Sequence, residues 1–512
     1  MNLKRSNSFT KCSELITITG DDLKSLVQPS KDFIPRIIFK DIIDYIEDTD
    51  IKRLLELYGL RRTGKTILML QAIDYLLSKG VSSDDIIYIE CTNNCSAYDL
   101  LKFLKSRKYK YIFIDEITKA HDFYVYIASI CTVTFGIKTI IAGTDSLYFY
   151  LSRSEMYGRY EKLSTTFISY KDWCIINNKN LSILNYIQNA GILGNYYNVD
   201  YYLDDAISNN IRDSLDNILP FIRDSDCQKL SGLIEMYPRI VIKITENFNN
   251  LFIKEVIKSN YESSLSMGFT NENRLSKSDK KLLNSIIEES LNLNFKNDDI
   301  DRDTLKYLEQ LLYELDFYKE FDERILYNDN IEKRKRNLQL QPVIRYSQYI
   351  KSLDLVESKL NLFGVSRESF NNEYLPKIEG ELLEQVILNH ASTAYDKRYY
   401  DLFTYKEKES GAEIDLVILN KLYGDCILVE IKRSDSLDKR YFRWLSDENV
   451  LKNIKYHFNV TTILKKVILY KGETRSLDKL GVECINIEEF LLNLDKWKVN
   501  DGFRENHYFC KN

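Results

Sequence analysis

The sequence predicts an α/β protein of several domains: a parallel-sheet core near the N-terminus, a helical middle with a winged-helix-like part, and a smaller α/β unit at the C-terminus. Three observations predict this. Strand-like apolar runs alternate with amphipathic helical runs from Ile51 to Ala142, the pattern of parallel strands covered on both faces by crossover helices. That alternation stops after Trp173 and gives way to helical spacing rich in Asn and Tyr. From about Glu379 a helical run precedes two strand-like runs joined at Gly424 and Asp425.

Residues up to about Phe39 read as a loosely structured lead-in, set at 1–36. In the core, set at 37–175, strands are expected at Ile51–Leu57, Ile86–Glu90, Tyr111–Ile114 and Thr139–Ala142. Helices are expected at Ile67–Leu77, Tyr98–Leu104 and Phe123–Val133; in the first, Leu70, Ile73 and Leu77 share a face. A helical subdomain is placed at 176–270. At 271–350 the spacing predicts a winged-helix-like domain: Ser276 and Asp279 form a capping box before Leu282, Leu283 and Ile286. A second amphipathic helix there carries Leu305, Leu308, Leu311, Leu312 and Leu315, and a short strand at Arg324–Tyr327 supplies the wing. The C-terminal unit is set at 370–495, with strands at Glu413–Leu419 and Cys426–Ile431.

At 512 residues the chain has room for three or four domains of roughly 100–200 residues each. Its 44% hydrophobic and 29% charged residues are ordinary for a soluble globular protein, and six prolines leave little room for long linkers. A net charge of −5 argues against a surface that coats nucleic acid indiscriminately, while leaving a local basic groove open. Nine cysteines without repeated metal-ligand spacing read as reduced structural thiols, and the polar start Met1–Thr10 has no apolar signal core. No stretch approaches the ~20 apolar residues of a membrane span. The expected location is the cytoplasm, with no membrane partner.

Gly59-Leu60-Arg61-Arg62-Thr63-Gly64-Lys65-Thr66 matches G-x-x-x-x-G-K-[ST], with an apolar strand before it and a helix after it. The glycines let the backbone curl so that its N–H groups face phosphate oxygens at the helix's positive end. Lys65 reaches the β- and γ-phosphates and Thr66 ligates Mg²⁺. Tyr111-Ile112-Phe113-Ile114-Asp115-Glu116 is the matching acidic strand: Asp115 stands beside the Mg²⁺, and Glu116 orients and deprotonates the attacking water. The cofactors expected are therefore ATP and Mg²⁺. Thr144, in Gly143-Thr144-Asp145, reads either as a γ-phosphate sensor or as a simple cap. Arg159, in Gly158-Arg159, reads either as a guanidinium that stabilises transferring phosphoryl charge or as a surface residue.

These motifs resemble those of the AAA+ family of bacterial and archaeal P-loop ATPases that carry a nuclease-like domain at the C-terminus. The shared residues are Gly59–Thr66 with its double arginine, Ile114–Glu116, Gly158-Arg159 and the Phe167–Trp173 run. Gly143-Thr144-Asp145-Ser146 departs from the Gly-Ser-Ser or Gly-Ser-Asn usual in that family. The resemblance implies a homo-oligomer in which Arg159 completes a neighbour's site.

In the C-terminal unit, Glu384 lies on a helix, Asp415 opens one strand, and Glu430-Ile431-Lys432 closes the next. Side chains alternate along a strand, so Glu430 and Lys432 face one way. The set looks like the PD-(D/E)xK nuclease pattern. Glu384, Asp415 and Glu430 would hold Mg²⁺ or Mn²⁺, and Lys432 would position or deprotonate water. Lys333-Arg334-Lys335-Arg336, placed just beyond the wing, reads as a phosphate contact or a solvated loop. None of His121, His390, His457 and His507 has a motif around it. The functional expectation is an ATP-hydrolysing protein that couples nucleotide state to a metal-dependent nuclease acting on nucleic acid. The alternative is an ATP-driven signalling or sensing switch whose C-terminal domain only binds a partner.

Overall fold

The computed structural model describes residues 15–50, 52–92, 94–106, 108–143, 158–191, 193, 313, 316–347, 350, 367–477 and 481–494. They build two sheets. The first has the strands β1 (Ile16–Thr19), β2 (Leu54–Tyr58), β3 (Ile86–Glu90), β4 (Tyr111–Asp115), β5 (Lys138–Gly143) and β6 (Tyr160–Ser164), in the order β1-β3-β4-β5-β2-β6. All neighbours are parallel except the β1–β3 pair. The central strands are buried on both faces, as their mostly apolar runs require, although β2 also buries Glu56.

Helices α1 (Asp22–Val27), α2 (Phe39–Glu47) and α3 (Lys65–Ser78) cover one face, where Leu23, Ile42, Met69 and Ile73 pack on Leu57, Tyr88 and Ile140. Helices α4 (Ala97–Ser106) and α5 (Phe123–Val133) cover the other, burying Leu100, Leu104 and Ile127 against Ile89, Ile114 and Ile141. The stretch read as a loose lead-in corrects the expectation: from residue 15 it supplies an edge strand and α1. A four-residue strand is too short to show a period, and β1 exists because β3 offers it a free edge.

Two short helices follow, α6 (Tyr170–Ile176) and α7 (Ile183–Asn189), each capped by a serine hydroxyl that accepts from a backbone N–H in the first turn. Both lie in the apolar core of the second sheet, where Tyr170, Tyr186 and Ile187 meet Leu382, Val386 and Phe490. The two halves of the chain are thus joined through a shared core.

The second sheet has eight strands: β7 (Tyr318–Tyr327), β8 (Asn330–Gln339), β9 (Tyr400–Glu407), β10 (Glu413–Asn420), β11 (Asp425–Ile431), β12 (Thr462–Tyr470), β13 (Arg475–Leu477) and β14 (Val482–Asn486), in the order β13-β14-β12-β11-β10-β9-β7-β8. Helix α8 (Arg367–Ala394) lies on one face with α11 (Ile487–Leu492), and α9 (Arg443–Ser446) with α10 (Glu448–His457) covers the other. The strand expected as a wing is β7; it forms a hairpin with β8, ten residues in each strand, and pairs with β9, so the hairpin is an edge of this sheet. Lys333–Arg336 lies within β8 rather than beyond a wing. The sequence pattern sees the hairpin but not the strand some seventy residues later that it joins. The helices expected around Ser276 and Leu305, and most of 176–270, fall outside the described residues.

Candidate nucleotide site and a C-terminal charge cluster

The phosphate loop follows β2 directly. Its backbone has φ +141° at Gly59, +64° at Arg62 and +91° at Gly64, so it curls through conformations that suit glycine at two of three points. At Gly59 a Cβ would lie 2.6 Å from the Thr165 hydroxyl and 2.7 Å from that of Thr166. The loop therefore rests on that pair, and no larger residue fits. Thr63 is fully buried, its hydroxyl 2.7 Å from that of Thr165. Lys65 opens α3, and its Nζ donates to the carbonyls of Gly59 at 2.7 Å and Leu60 at 2.9 Å. Arg61, Arg62, Gly64, Lys65, Thr66, Glu116 and Lys119 line a cleft of about 260 Å³.

Asp115 ends β4 and is buried. Its Oδ2 accepts from the Thr66 hydroxyl at 2.7 Å and from Tyr88 at 3.0 Å. Burial raises its pKa, and the Thr66 hydrogen bond pulls back. The Thr66 hydroxyl and the Asp115 carboxylate are the hard oxygen donors Mg²⁺ prefers, side by side at the cleft, so the residues fit that ion. Glu116 has φ +52°, unusual for a residue with a side chain, and its Oε2 lies 3.5 Å from Lys119 Nζ. A backbone held off its ordinary minimum costs on the order of 1–3 kcal/mol and marks sites where direction matters. Here it turns Glu116 toward the cleft.

The two weaker candidates part company. Thr144 lies outside the described residues; β5 does end at Gly143, beside Tyr58 in register. Arg159 precedes β6, whose Tyr160 pairs with Leu54 and whose Ser164 pairs with Tyr58. The phosphate loop therefore leaves the Ser164 end and Arg159 stands at the opposite end, roughly 16 Å away along the strand at ~3.3 Å per residue. Its Nη1 donates to Thr132 at 3.3 Å. Arg159 does not reach the cleft of its own chain.

Sequence reasoning missed Arg36, Tyr88 and Lys119. Buried Arg36 donates to the carbonyls of Thr63 (2.7 Å), Thr165 (2.8 Å) and Phe167 (2.7 Å), fixing the loop to the segment behind it. Burial lowers its pKa, with Asp172 opposing. A lone arginine before a helix carries no signal. Tyr88 and Lys119 were visible only as a strand aromatic and a basic residue three places after Glu116.

In the second sheet, Asp415 and Glu430 come from the adjacent antiparallel strands β10 and β11. The β9–β10 register slips between Ile414 and Val417, a bulge that re-aims Asp415. Asp415 Oδ2 accepts from the Ile431 N–H at 2.6 Å and lies 3.3 Å from Lys432 Nζ, which is 2.5 Å from Glu430. Burial raises the Glu430 pKa, with Asp415 adding to it; burial pulls Lys432 down, but Asp415 and Glu430 outweigh it and hold the amine above its ordinary range. Glu430 Oε1 is buried without a hydrogen-bond partner among the described residues.

Glu384 does not join them as an open ligand. Arg336 of β8 lies 2.5 Å from Glu384 and also pairs with Glu381. Among the described residues, no group of three or more His, Cys, Asp or Glu side chains is arranged to hold a metal. A three-carboxylate metal site does not fit these residues as they stand.

Residues 52–174 match the family model described as an AAA domain, and residues 379–490 match a domain of unknown function, DUF4143. The first match covers the P-loop core with its loop and Asp115; the second covers strands β9 to β14 of the other sheet, with Asp415, Glu430 and Lys432. No curated protein matches the chain. Solved structures show remote likeness. The Saccharomyces cerevisiae Hsp104:casein complex is 15% identical at a TM-score of 0.24, covering 44% of this chain and 40% of that one. The replication initiator DnaA, bound to AMPPCP and single-stranded DNA, is 13% identical at 0.24, covering 56% and 91%. The Aeropyrum pernix ORC1 protein with DNA is 12% identical at 0.23, covering 64% and 97%. Likeness this distant says nothing about the partners of this chain. Among the described residues, no helix is long and apolar enough to cross a membrane.

Proposed function

We propose that the chain binds ATP in the Gly59–Thr66 loop and hydrolyses it, with nucleotide state felt by the C-terminal sheet. The observation that carries this is the meeting of Thr66 and Asp115 at 2.7 Å beside the loop. Loop N–H groups and the start of α3 receive the phosphates, and Lys65 exchanges its two carbonyl partners for β- and γ-phosphate oxygens. Glu116 accepts the proton of the attacking water. Mg²⁺, when bound by Thr66 and Asp115, supplies charge neutralisation on the phosphate oxygens. Phosphate release by the purified chain, dependent on Mg²⁺ and abolished in Lys65→Ala, tests this.

For the C-terminal domain, two readings follow from different observations. The convergence of Asp415, Glu430 and Lys432 supports nuclease chemistry on nucleic acid. Arg336 held on Glu384 supports a domain that binds without cleaving, and we favour it, because the third carboxylate is already paired. Labelled DNA and RNA incubated with Mg²⁺ or Mn²⁺, with and without ATP, decide between them. Cleavage lost in both Asp415→Ala and Lys432→Ala would restore the nuclease reading.

A further inference from the structure

The phosphate loop is held from behind by a residue of the other half of the chain. Gln341 follows β8, the edge of the C-terminal sheet, and is 1% exposed. Its Nε2 donates to the Gly191 carbonyl at 2.7 Å and to the Thr166 carbonyl at 3.3 Å. Each partner leads to the loop in one step. The Thr166 hydroxyl accepts from the N–H of Leu60 at 3.1 Å. Two residues beyond Gly191, the N–H of Leu193 donates to the Arg62 carbonyl at 3.0 Å, and Leu193 Cδ1 stands 3.0 Å from where a Cβ on Gly64 would be.

One amide group thus lies under two straps, one to the start of the loop and one to its middle. The seat is tight: at Gly191, φ +149°, a Cβ would come within 2.8 Å of Val343 and 3.1 Å of Gln341. Buried carbonyls need donors, so the position of Gln341 fixes where Gly191 and Thr166 sit, and they fix the loop. The direction of the loop's N–H groups decides how well they meet phosphate oxygens, and small misplacements at such a site carry large rate penalties.

We propose that Gln341 is a positioning residue for the nucleotide site, through Thr166 on one side and Gly191–Leu193 on the other, so that the C-terminal sheet sets the geometry of the phosphate loop. This rests on the reading of Gly59–Thr66 as an ATP site. Gln341 touches no nucleotide; it acts through the backbone it holds.

The test uses the full chain, a fluorescent ATP analogue for affinity and phosphate release for turnover. Gln341→Leu keeps bulk and removes the donor; Thr166→Val removes the hydroxyl and Thr166→Ser keeps it. Gln341→Leu and Thr166→Val should each raise the KM for ATP about tenfold, the effect of one buried polar partner lost. Their kcat should change less, and Thr166→Ser should restore wild-type behaviour. The double variant should cost less than the two single changes combined, since both act on one path. A wild-type KM in folded Gln341→Leu, equal behaviour of the Val and Ser variants, or full additivity would each overturn the proposal. If Gln341→Leu fails to fold, the Thr166 pair still decides. A wild-type chain that does not bind the analogue would instead sink the ATP reading, a result distinct from variants that match an active wild type.

Discussion

The backbone N–H of Tyr170 donates to Nε2 of His390 at 2.9 Å, and His390 Nδ1 lies 2.7 Å from the Val386 carbonyl. One nitrogen accepts and the other donates, which fixes the ring as a neutral tautomer, 3% exposed, in the core where α6 meets α8. A histidine without a motif is here a joint between the two halves of the chain.

The first prediction follows from that ring. Burial lowers the His390 pKa to about 4, from an ordinary 6.5. The unfolded chain therefore binds a proton that the folded chain refuses, and stability falls as pH drops from above 6.5 toward 4. A gap of about 2.5 units corresponds to roughly 3 kcal/mol at full effect. Denaturant midpoints between pH 7.5 and 5 should decline in the wild type and decline less in His390→Asn. Parallel slopes would remove His390 from the pH dependence.

The second concerns Lys65 and Glu116. Lys65→Ala should weaken ATP binding by roughly 10- to 100-fold, the worth of a hydrogen bond to a charged group. Glu116→Gln should keep affinity within a few-fold and slow phosphate release by about 10²- to 10⁴-fold. Unchanged release in Glu116→Gln would take that residue out of the base role.

Arg159 carries the third. It stands at the end of β6 away from its own phosphate loop, so any catalytic role requires a neighbouring subunit. Arg159→Ala should then lower turnover by about 10³-fold while leaving ATP affinity intact. Turnover per chain should rise with protein concentration. Full activity at a monomeric mass, measured by light scattering, would exclude action in trans.

The fourth is about stability. Arg336→Ala leaves Glu381 and Glu384 facing each other without their cation, and should cost about 3 kcal/mol at neutral pH. Burial already raises the Glu384 pKa, with Glu381 adding to it. Burial holds that pKa at about 8 even though Arg336 pulls it down, so Arg336→Ala takes up its proton at a higher pH than the wild type, and the deficit should shrink as pH falls from about 10 toward 8 and then level off. A deficit that grows on acidification would mean the carboxylates are held by something other than Arg336.

What the sequence determined by itself was local. The loop Gly59–Thr66, the strand ending in Asp115 and Glu116, and the strands carrying Asp415 and Glu430 were legible because each is written in consecutive residues with a fixed period or spacing. Tertiary structure decided everything that depends on who meets whom. It made the residue 318–339 hairpin an edge of the second sheet rather than a wing, gave Glu384 to Arg336, and put Arg159 at the far end from its own loop. It also brought Arg36 and Gln341 behind the phosphate loop, across a separation of 27 residues from Thr63 in one case and 150 residues from Gly191 in the other. The physical reason is the range of the forces. Periodicity and turn chemistry act between near neighbours, whereas a buried charge or carbonyl takes its partner from whatever the packed core brings within about 3 Å, and no local pattern encodes that choice.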